Sequence, residues 1–187
     1  MKTQGVKMVA KTLGLSLGMG ALGVAVLSGC FGSEPEPQRV SIAQACSAPK
    51  YTITMGKLTT AEVNTLAKSE FKAILEEGLR GSNCFTIAPK ASEGSYVLDV
   101  EYRFKIDETK EETSMVSSKD SAMLSSDVKF TLKAAKNTIT QNATSTLKLS
   151  GQKYLGLGEE VNVSQAQKED LVKKSLNTIF TNLSSMK

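Results

Sequence analysis

The side chains that could perform chemistry in this chain are three cysteines and three pairs of adjacent glutamates. The 187 residues include no histidine and no tryptophan. A Ser-His-Asp triad, a Cys-His pair and a histidine-ligated metal are therefore excluded. Catalysis by two carboxylates needs acids that converge on a cleft, whereas sequence neighbours point apart; the pairs are Glu76-Glu77, Glu111-Glu112 and Glu159-Glu160. The sequence predicts a protein that is not an enzyme and has no catalytic residue, cofactor or metal site.

Cys30 ends an N-terminal segment that has the features of a bacterial signal peptide. Three lysines and no acid precede an uncharged run at 12–27. This run is shorter than the ~20 residues that a membrane-spanning helix needs. It ends in Leu27-Ser28-Gly29-Cys30, which resembles the lipobox of bacterial lipoproteins. The resemblance implies cleavage before Cys30 and attachment of lipid, with acyl chains such as palmitate, to this residue.

A lipid on Cys30 would determine both the location and the charge of the mature chain. Two or three acyl chains hold a protein stably at a bilayer. Phe31 stands where an aspartate resembles an inner-membrane retention signal, which favours the outer membrane, with the domain facing the periplasm or displayed at the cell surface. Removal of three lysines from 23 basic residues leaves 20 against 19 acidic ones. A balance so close to neutral gives no support for binding to nucleic acid.

Cys46 and Cys84 remain once Cys30 carries lipid. An even pair of cysteines in an oxidising periplasm favours a disulfide between them, and two separate buried thiols are the alternative. The bond would close a loop of 38 residues. A loop of this length predicts a stabilisation of about 4 kcal/mol.

The mature chain is predicted to form one domain behind a short spacer. Residues 1–29 are the signal peptide, 30–45 the lipidated N-terminus and spacer, and 46–187 a single periplasmic domain. Pro35 and Pro37 prevent helix formation in the spacer.

The first elements of the domain are a strand, a helix and a second strand. Alternation at 51–55 predicts a strand that ends at Gly56. Thr59-x-x-Glu62 resembles a capping box and predicts a helix start. The apolar side of this helix is predicted to contain Val63, Leu66, Ala67, Phe71, Ile74 and Leu75.

Longer strands and a final helix follow. Apolar and charged residues alternate strictly at 98–106, which predicts a strand with one buried face. The polar, serine-rich segment 108–125 predicts a long loop or a mobile strand extension. A strand at 128–134 leads to a Thr/Asn-rich edge strand whose polar part is 138–146. A capping box at Ser164-x-x-Gln167 then starts a helix, and its apolar stripe is Leu171, Val172, Leu176, Ile179, Phe180 and Leu183.

The order of elements, β-α-β-β-β-β-α, predicts an α+β fold. We expect a mostly antiparallel sheet of four to five strands with two helices packed on one face. Two features of this sheet are candidates for binding a protein partner. The 108–125 loop is either a contact segment or plain disorder, and the 138–146 edge strand either pairs with a strand of another protein or is a polar edge that resists aggregation.

The mature domain resembles two groups of bacterial envelope lipoproteins. One is the periplasmic domain shared by the curli-secretion lipoprotein and the lipoprotein activators of penicillin-binding proteins. The residues that carry this resemblance are the helix at 63–79, Cys84-Phe85-Thr86-Ile87, the strand at 96–106, the hairpin at Lys136-Asn137 and Leu155-Gly156-Leu157-Gly158. The chain is too short for a secretion channel with membrane-spanning hairpins, and its spacer is shorter than the activators' tether.

The second group is the lipopolysaccharide-assembly lipoprotein that plugs an outer-membrane barrel. Its two helices on a four-stranded sheet and its size match this chain, and Phe31-Gly32 after Cys30 resembles its N-terminus. Together the resemblances imply a lipid-anchored periplasmic domain that docks a protein partner in an envelope assembly or regulatory complex. A carrier that binds a lipid or a glycan is the alternative.

Overall fold

The computed structural model describes residues 39–61, 64–114, 117–154, 157–158 and 161–186. The predicted signal peptide, the lipobox with Cys30, and the spacer up to residue 38 lie outside the described residues. The secondary structure consists of β1 (Tyr51–Thr60), α1 (Lys68–Gly81), β2 (Phe85–Ile87), β3 (Tyr96–Ser114), β4 (Ser117–Lys133), β5 (Thr138–Tyr154), β6 (Leu157–Gly158) and α2 (Gln165–Ser185).

The strands form one mixed sheet in the order β2-β1-β3-β4-β5-β6. β1 lies between β2 and β3 and is parallel to both, whereas every later pair is antiparallel. The parallel pair β1–β2 is possible because α1 provides the crossover between them. The α+β fold is confirmed, and the sheet is mixed because its first three strands are parallel.

The core lies between one face of the sheet and the two helices. Phe71 of α1 stacks on Tyr102 of β3 with ring centroids 3.9 Å apart. Phe180 of α2 makes edge contacts with Phe85 and Phe130. All six apolar positions predicted for α2 are buried. The spacing of apolar residues therefore identified the buried side of this helix correctly.

The opposite face of the sheet, the outer face, is polar. Three ion pairs cross from β3 to β4 on this face, namely Asp99–Lys133, Arg103–Asp127 and Glu101–Lys129, at 2.7, 2.6 and 3.6 Å. Their partners stand directly or diagonally opposite one another in the register. This face corresponds to the charged half of the alternation at 98–106.

The start of the first helix differs from the prediction. β1 continues through Thr59 and Thr60, so these residues lie in a strand, and α1 begins only at Lys68. Its N-terminus is closed by Glu70, whose carboxylate accepts the Ala67 backbone N–H at 3.1 Å. The predicted capping box at Thr59 was wrong because strand pairing between β1 and β3 outweighs a local signal of a few tenths to 2 kcal/mol. By contrast, Ser164 and Gln167 form the predicted capping box of α2.

β1 was predicted to end at Gly56, but it continues to Thr60 with a bulge at this point. The register between β1 and β3 shifts between Met55 and Leu58. At the shift, the Asp99 carboxylate accepts the Lys57 backbone N–H at 2.8 Å. A Cβ atom on Gly56 would lie 2.3 Å from an Asp99 carboxylate oxygen. Glycine at this position therefore allows the bulge instead of ending the strand.

The described residues of the segment 108–125, namely 108–114 and 117–125, lie in strands and not in a loop. They continue β3 and β4, which pair from Val97–Lys133 to Ser114–Ser117. We call the distal part of this sheet the arm, defined as 107–114 of β3, 117–123 of β4 and 148–154 of β5. The loop alternative was wrong because β-propensity of serine-rich segments is set by cross-strand neighbours, here on both sides of β4, more than by composition.

Candidate functional site

Three features of the described chain bear on anchoring and docking: the N-terminal segment at 39–46, the arm and the free edge of β5. Cys30, the predicted lipid attachment residue, lies outside the described residues, so its lipidation stays a prediction. We call residues 39–46 the strap, because they lie along the side of α2 before the chain enters β1.

The strap is hydrogen-bonded to α2. Arg39 pairs with Glu169 at 2.9 Å and with Asp170 at 3.1 Å. The Asp170 carboxylate also accepts the Val40 backbone N–H at 3.1 Å. Asn177 accepts the Ala43 N–H at 3.0 Å and donates its amide to the carbonyl oxygen of Ser41 at 2.9 Å. Residues 39–45 were assigned to the spacer by sequence, yet they make regular contacts with the domain.

The strap ends in a disulfide between Cys46 and Cys84. Both cysteines are buried. The Cys46 backbone N–H donates to the carbonyl oxygen of Ser82 at 3.1 Å, and the Asn83 amide donates to the carbonyl oxygen of Cys46 at 3.1 Å. Asn83 adopts a positive φ of 56°, a conformation that asparagine tolerates better than most residues. The bond therefore fixes the strap to the connection between α1 and β2.

The arm extends beyond the apolar core. Near the base of the arm, Glu108, Ala122 and Leu149 form a row of cross-strand partners that still contacts the core, and Ala122 is buried there. The next rows, Thr109–Ser121–Ser150 and Lys110–Asp120–Gly151, have no apolar member. A small depression of about 140 Å³ on the helix side of this region is lined by charged residues and Val161. Both faces of the arm are thus polar over these two rows.

β5 forms a long and regular sheet edge. It pairs with β4 over seventeen consecutive residues without a register shift. On its other side, the described strands reach only Lys153 and Tyr154, where β6 pairs. Residues 138–152 contain one charged side chain, Lys148, and no proline. Natural edge strands are often protected by charges, prolines or bulges, and this stretch has little of that protection.

Two open depressions lie on the sheet away from the arm tip. The first, about 360 Å³, surrounds Arg103, Asp127 and Thr144 on the outer face. Thr144 donates to the Asp127 carboxylate at 2.6 Å. Burial raises the pKa of Asp127, but the hydrogen bonds from Thr144 and Arg103 outweigh it, so the net pKa lies below the usual value. These polar groups already satisfy one another and leave no buried polar atom directed at a ligand.

The second depression, about 610 Å³, lies at the opposite end of the sheet from the arm. It is lined by Tyr51, Tyr96, Ile139 and Met186 among others. Tyr51 donates its hydroxyl hydrogen to the carbonyl oxygen of Leu183 at 3.0 Å, and burial, with a smaller contribution from Tyr96, raises its pKa.

The described residues contain neither a cluster of metal ligands nor a membrane-spanning helix. In 39–186, apart from the gaps named above, no three histidine, cysteine or acidic side chains are grouped to hold a metal ion. Within the same part of the chain, no helix has the length and apolar composition to cross a membrane.

Sequence reasoning missed the strap and the outer-face bulge. The strap has no periodicity that would reveal it, because many of its contacts are hydrogen bonds from backbone groups to Asp170 and Asn177, 130 and 134 residues further along the chain. Glu169 and Asp170 lie beyond the first turn of α2, where the helix dipole no longer favours acids, and gave no local signal of the strap.

Comparisons with known proteins give low similarity. No protein-family model matches the chain, and no curated protein matches it. Among solved structures, a homologue of the neuraminyllactose-binding hemagglutinin from Helicobacter pylori has 14% identity and a TM-score of 0.38, with 79% of this chain and 88% of that chain covered. A minor lipoprotein from Acinetobacter baumannii has 14% identity and a TM-score of 0.37, with 71% and 88% covered. The rare lipoprotein B from Shewanella oneidensis has 11% identity and a TM-score of 0.32, with 70% and 89% covered. Scores of this size do not establish a shared fold or function.

Proposed function

We propose that this chain is a lipid-anchored lipoprotein of the bacterial outer membrane, facing the periplasm, which acts by docking a protein partner and has no catalytic activity. The anchor rests on the lipobox resemblance at Leu27-Ser28-Gly29-Cys30. Docking rests on one observation, the arm: residues 107–114 and 117–123 remain paired beyond the core, although the rows of Thr109 and Lys110 contain no apolar side chain. A polar strand extension with no core to cover contributes little to folding, so a contact surface is its best-supported role.

The anchor is tested by replacing the predicted lipid attachment residue. Cys30→Ala should leave an unprocessed, unlipidated precursor, because the thiol that carries the diacylglycerol is gone. Mass spectrometry of the N-terminal peptide from membranes measures this directly. A Cys30→Ala chain that is still processed and acylated would contradict the lipoprotein assignment.

The docking role is tested by exchanging two opposite charges on the arm. Glu111 and Lys119 face each other across β3 and β4, and both are exposed. The double variant Glu111→Lys/Lys119→Glu keeps an attractive cross-strand pair but inverts the charges presented to a partner. We expect it to lose the protein that co-purifies with the native chain from gently solubilised membranes, with its melting temperature unchanged.

The matched control lies on the same two strands, below the arm. Glu101 and Lys129 also face each other and are 3.6 Å apart, so Glu101→Lys/Lys129→Glu makes the same exchange outside the arm. This control should retain the partner. Retention by both variants would contradict docking through the arm, and loss by the control alone would assign the contact to the outer face.

The free edge of β5 is the second candidate for the contact. Thr140→Lys/Thr146→Lys places two cations in the stretch 138–152 of this edge, where Lys148 is the one charged side chain. Loss of the partner from this variant, with retention by the arm variant, would assign docking to strand addition at the edge. A lipid or glycan that co-purifies in place of any protein would favour the carrier alternative.

A further inference from the structure

The first residue of the strap, Arg39, lies at the same end of the domain as the arm, and this position bears on how the anchored chain faces its membrane. The inference rests on the lipid anchor of the proposed function. Its starting point is the direction of α2 along the sheet.

α2 runs alongside β4 in the direction away from the arm. Ser175 near the middle of the helix donates its hydroxyl hydrogen to the carbonyl oxygen of Ser126 at 3.0 Å. Phe180 contacts Phe130, and Met186 at the end accepts a hydrogen bond from Gln141, the β5 partner of Phe130. Later helix residues thus meet later residues of β4, and the N-terminus of α2 points towards the arm.

The position of Arg39 follows from this direction. Its partner Asp170 stands five residues before Ser175, about 7 Å along a helix axis. The same rise corresponds to about two residues of a strand, which places Arg39 level with Leu124, at the base of the arm. The chain therefore leaves the described domain at the base of the arm, with the turn at Ala134–Asn137 at the other end of β4.

The tether and the arm have similar lengths. Eight residues separate Cys30 from Arg39, and a chain of this length spans at most about 30 Å. The arm extends from Asp107 to Ser114 along β3, which is about 24 Å at the usual rise of a strand. A domain held by its arm end on so short a tether keeps the arm in the gap between its core and the bilayer.

We propose that the anchor holds the domain with the arm towards the membrane, so that the arm is presented to a protein embedded in that membrane. The lipid bilayer itself is a less suitable binding partner for the arm. Residues 107–123 contain five acids and two lysines, whereas adsorption to anionic lipid headgroups depends on clusters of basic residues.

The orientation can be measured on the full lipidated chain in lipid vesicles. With Cys30 acylated and Cys46 bonded to Cys84, an introduced cysteine is the only free thiol, because the sequence has three cysteines. Lys119→Cys labels the arm, and Lys136→Cys labels the turn at the opposite end. Both lysines are exposed. β4 runs from Lys119 to its end at Lys133, fourteen residues further along the strand, which is about 46 Å.

Each labelled protein is bound to phosphatidylcholine vesicles that contain an acceptor dye on the lipid headgroup, and energy transfer is measured. We expect clearly stronger transfer from position 119 than from position 136. Equal transfer from the two positions, or stronger transfer from 136, would overturn the orientation while leaving the lipid anchor intact.

Two further readouts separate the remaining outcomes. Mass spectrometry of the vesicle-bound chain must find acyl chains on Cys30; their absence would contradict the lipoprotein assignment and the orientation with it. An environment-sensitive dye at position 119 should remain accessible to a water-soluble quencher in vesicles with or without anionic lipid. A dye that becomes protected there would overturn the partner class, since the bilayer would be the surface that the arm contacts.

Discussion

At the scale of single residues, the Asp99 side chain stabilises the bulge of β1. Its carboxylate accepts hydrogen bonds from the Lys133 ammonium at 2.7 Å and from the Lys57 backbone at 2.8 Å. These two bonds, the Lys133 bond first, hold the pKa of Asp99 below its usual value. The strict alternation of the sequence predicted that Asp99 faces outward, but nothing local indicated that it bonds a backbone amide of another strand.

Gly56→Ala should destabilise the domain by about 2 kcal/mol, because the new Cβ would overlap atoms that cannot move freely. It would lie 2.3 Å from Oδ1 of Asp99, whose carboxylate is held by two hydrogen bonds, and 2.7 Å from Val97 Cγ1. Urea denaturation measures the free energy of unfolding. Gly94→Ala is the control, because Gly94 has a positive φ but nothing within 4 Å of the added atom; strain alone costs about 1 kcal/mol there. A Gly56 variant as stable as the native chain would contradict the tight bulge.

The pH dependence of stability should be reduced in the double variant Asp99→Asn/Asp127→Asn. Both carboxyls have a pKa below the usual value in the folded chain. Their contribution is therefore complete above the unfolded pKa, near 3.9, and is lost as pH falls through the lower folded values. Urea denaturation at about pH 6 and about pH 3 measures the change. The native chain should lose more stability between these two conditions than the variant, and equal losses would contradict the assignment.

At the scale of elements, the two helices begin in different ways. Ser164 accepts the Gln167 backbone N–H at 3.2 Å, and the Gln167 side chain accepts the Ser164 N–H at 2.9 Å. α1 has only half of this arrangement, since Ala67 has no side-chain acceptor and the Glu70 carboxylate alone caps the Ala67 N–H. A missing cap residue can be supplied by substitution.

Substitutions at the two caps should change stability in opposite directions. Ser164→Ala removes an N-cap acceptor and should cost about 1 kcal/mol. Ala67→Ser adds one at an exposed position with extended backbone, φ −61° and ψ 145°, and should stabilise by about 0.5 kcal/mol. Thermal unfolding of both variants beside the native chain gives the comparison. A lowered melting temperature for Ala67→Ser would show that its hydroxyl fails to reach the first turn of α1.

The elements that the sequence predicted well are those with a period sustained over many residues. The strand at 98–106 and the final helix are both present with the predicted faces buried, because one-sided burial imposes its period on the choice of residues. The first helix was placed several residues early because a four-residue motif is weak beside strand pairing. The sequence could not decide whether the arm is a loop or a strand, because a strand with two polar faces has no alternation of apolar and polar residues to detect.

At the scale of the whole molecule, the disulfide should be the largest single contribution that can be removed without altering the core helices. Cys46→Ala/Cys84→Ala opens a loop of 38 residues and should lower the free energy of unfolding by about 4 kcal/mol. Urea denaturation with and without a reducing agent measures it. The reductant should lower the midpoint of the native chain and leave the double variant unchanged. If complete reduction of the disulfide left the urea midpoint of the native chain unchanged, this contribution to stability would be contradicted.

The docking surfaces could be located only in part from the sequence. The polar composition at 108–125 and 138–146 singled out the segments that form the arm and the edge of β5, and docking through them stays a prediction. Their relation to the anchored end depends on Arg39, Asp170 and Ser175, which lie on segments that approach one another only in the folded domain. Long-range contacts of this kind have no local signature in one sequence.

The strap also determines how mechanical load from the anchor would enter the domain. Tension at the N-terminus acts first on the contacts of Arg39, Val40 and Ala43 with α2, which can detach one after another. The load then reaches Cys46 and passes through a covalent bond to the connection before β2, so α2 and the sheet are not pulled apart. Detachment of the seven residues 39–45 from α2 lengthens the tether by about 25 Å. The domain can therefore move further from the bilayer by up to that distance while its fold stays intact.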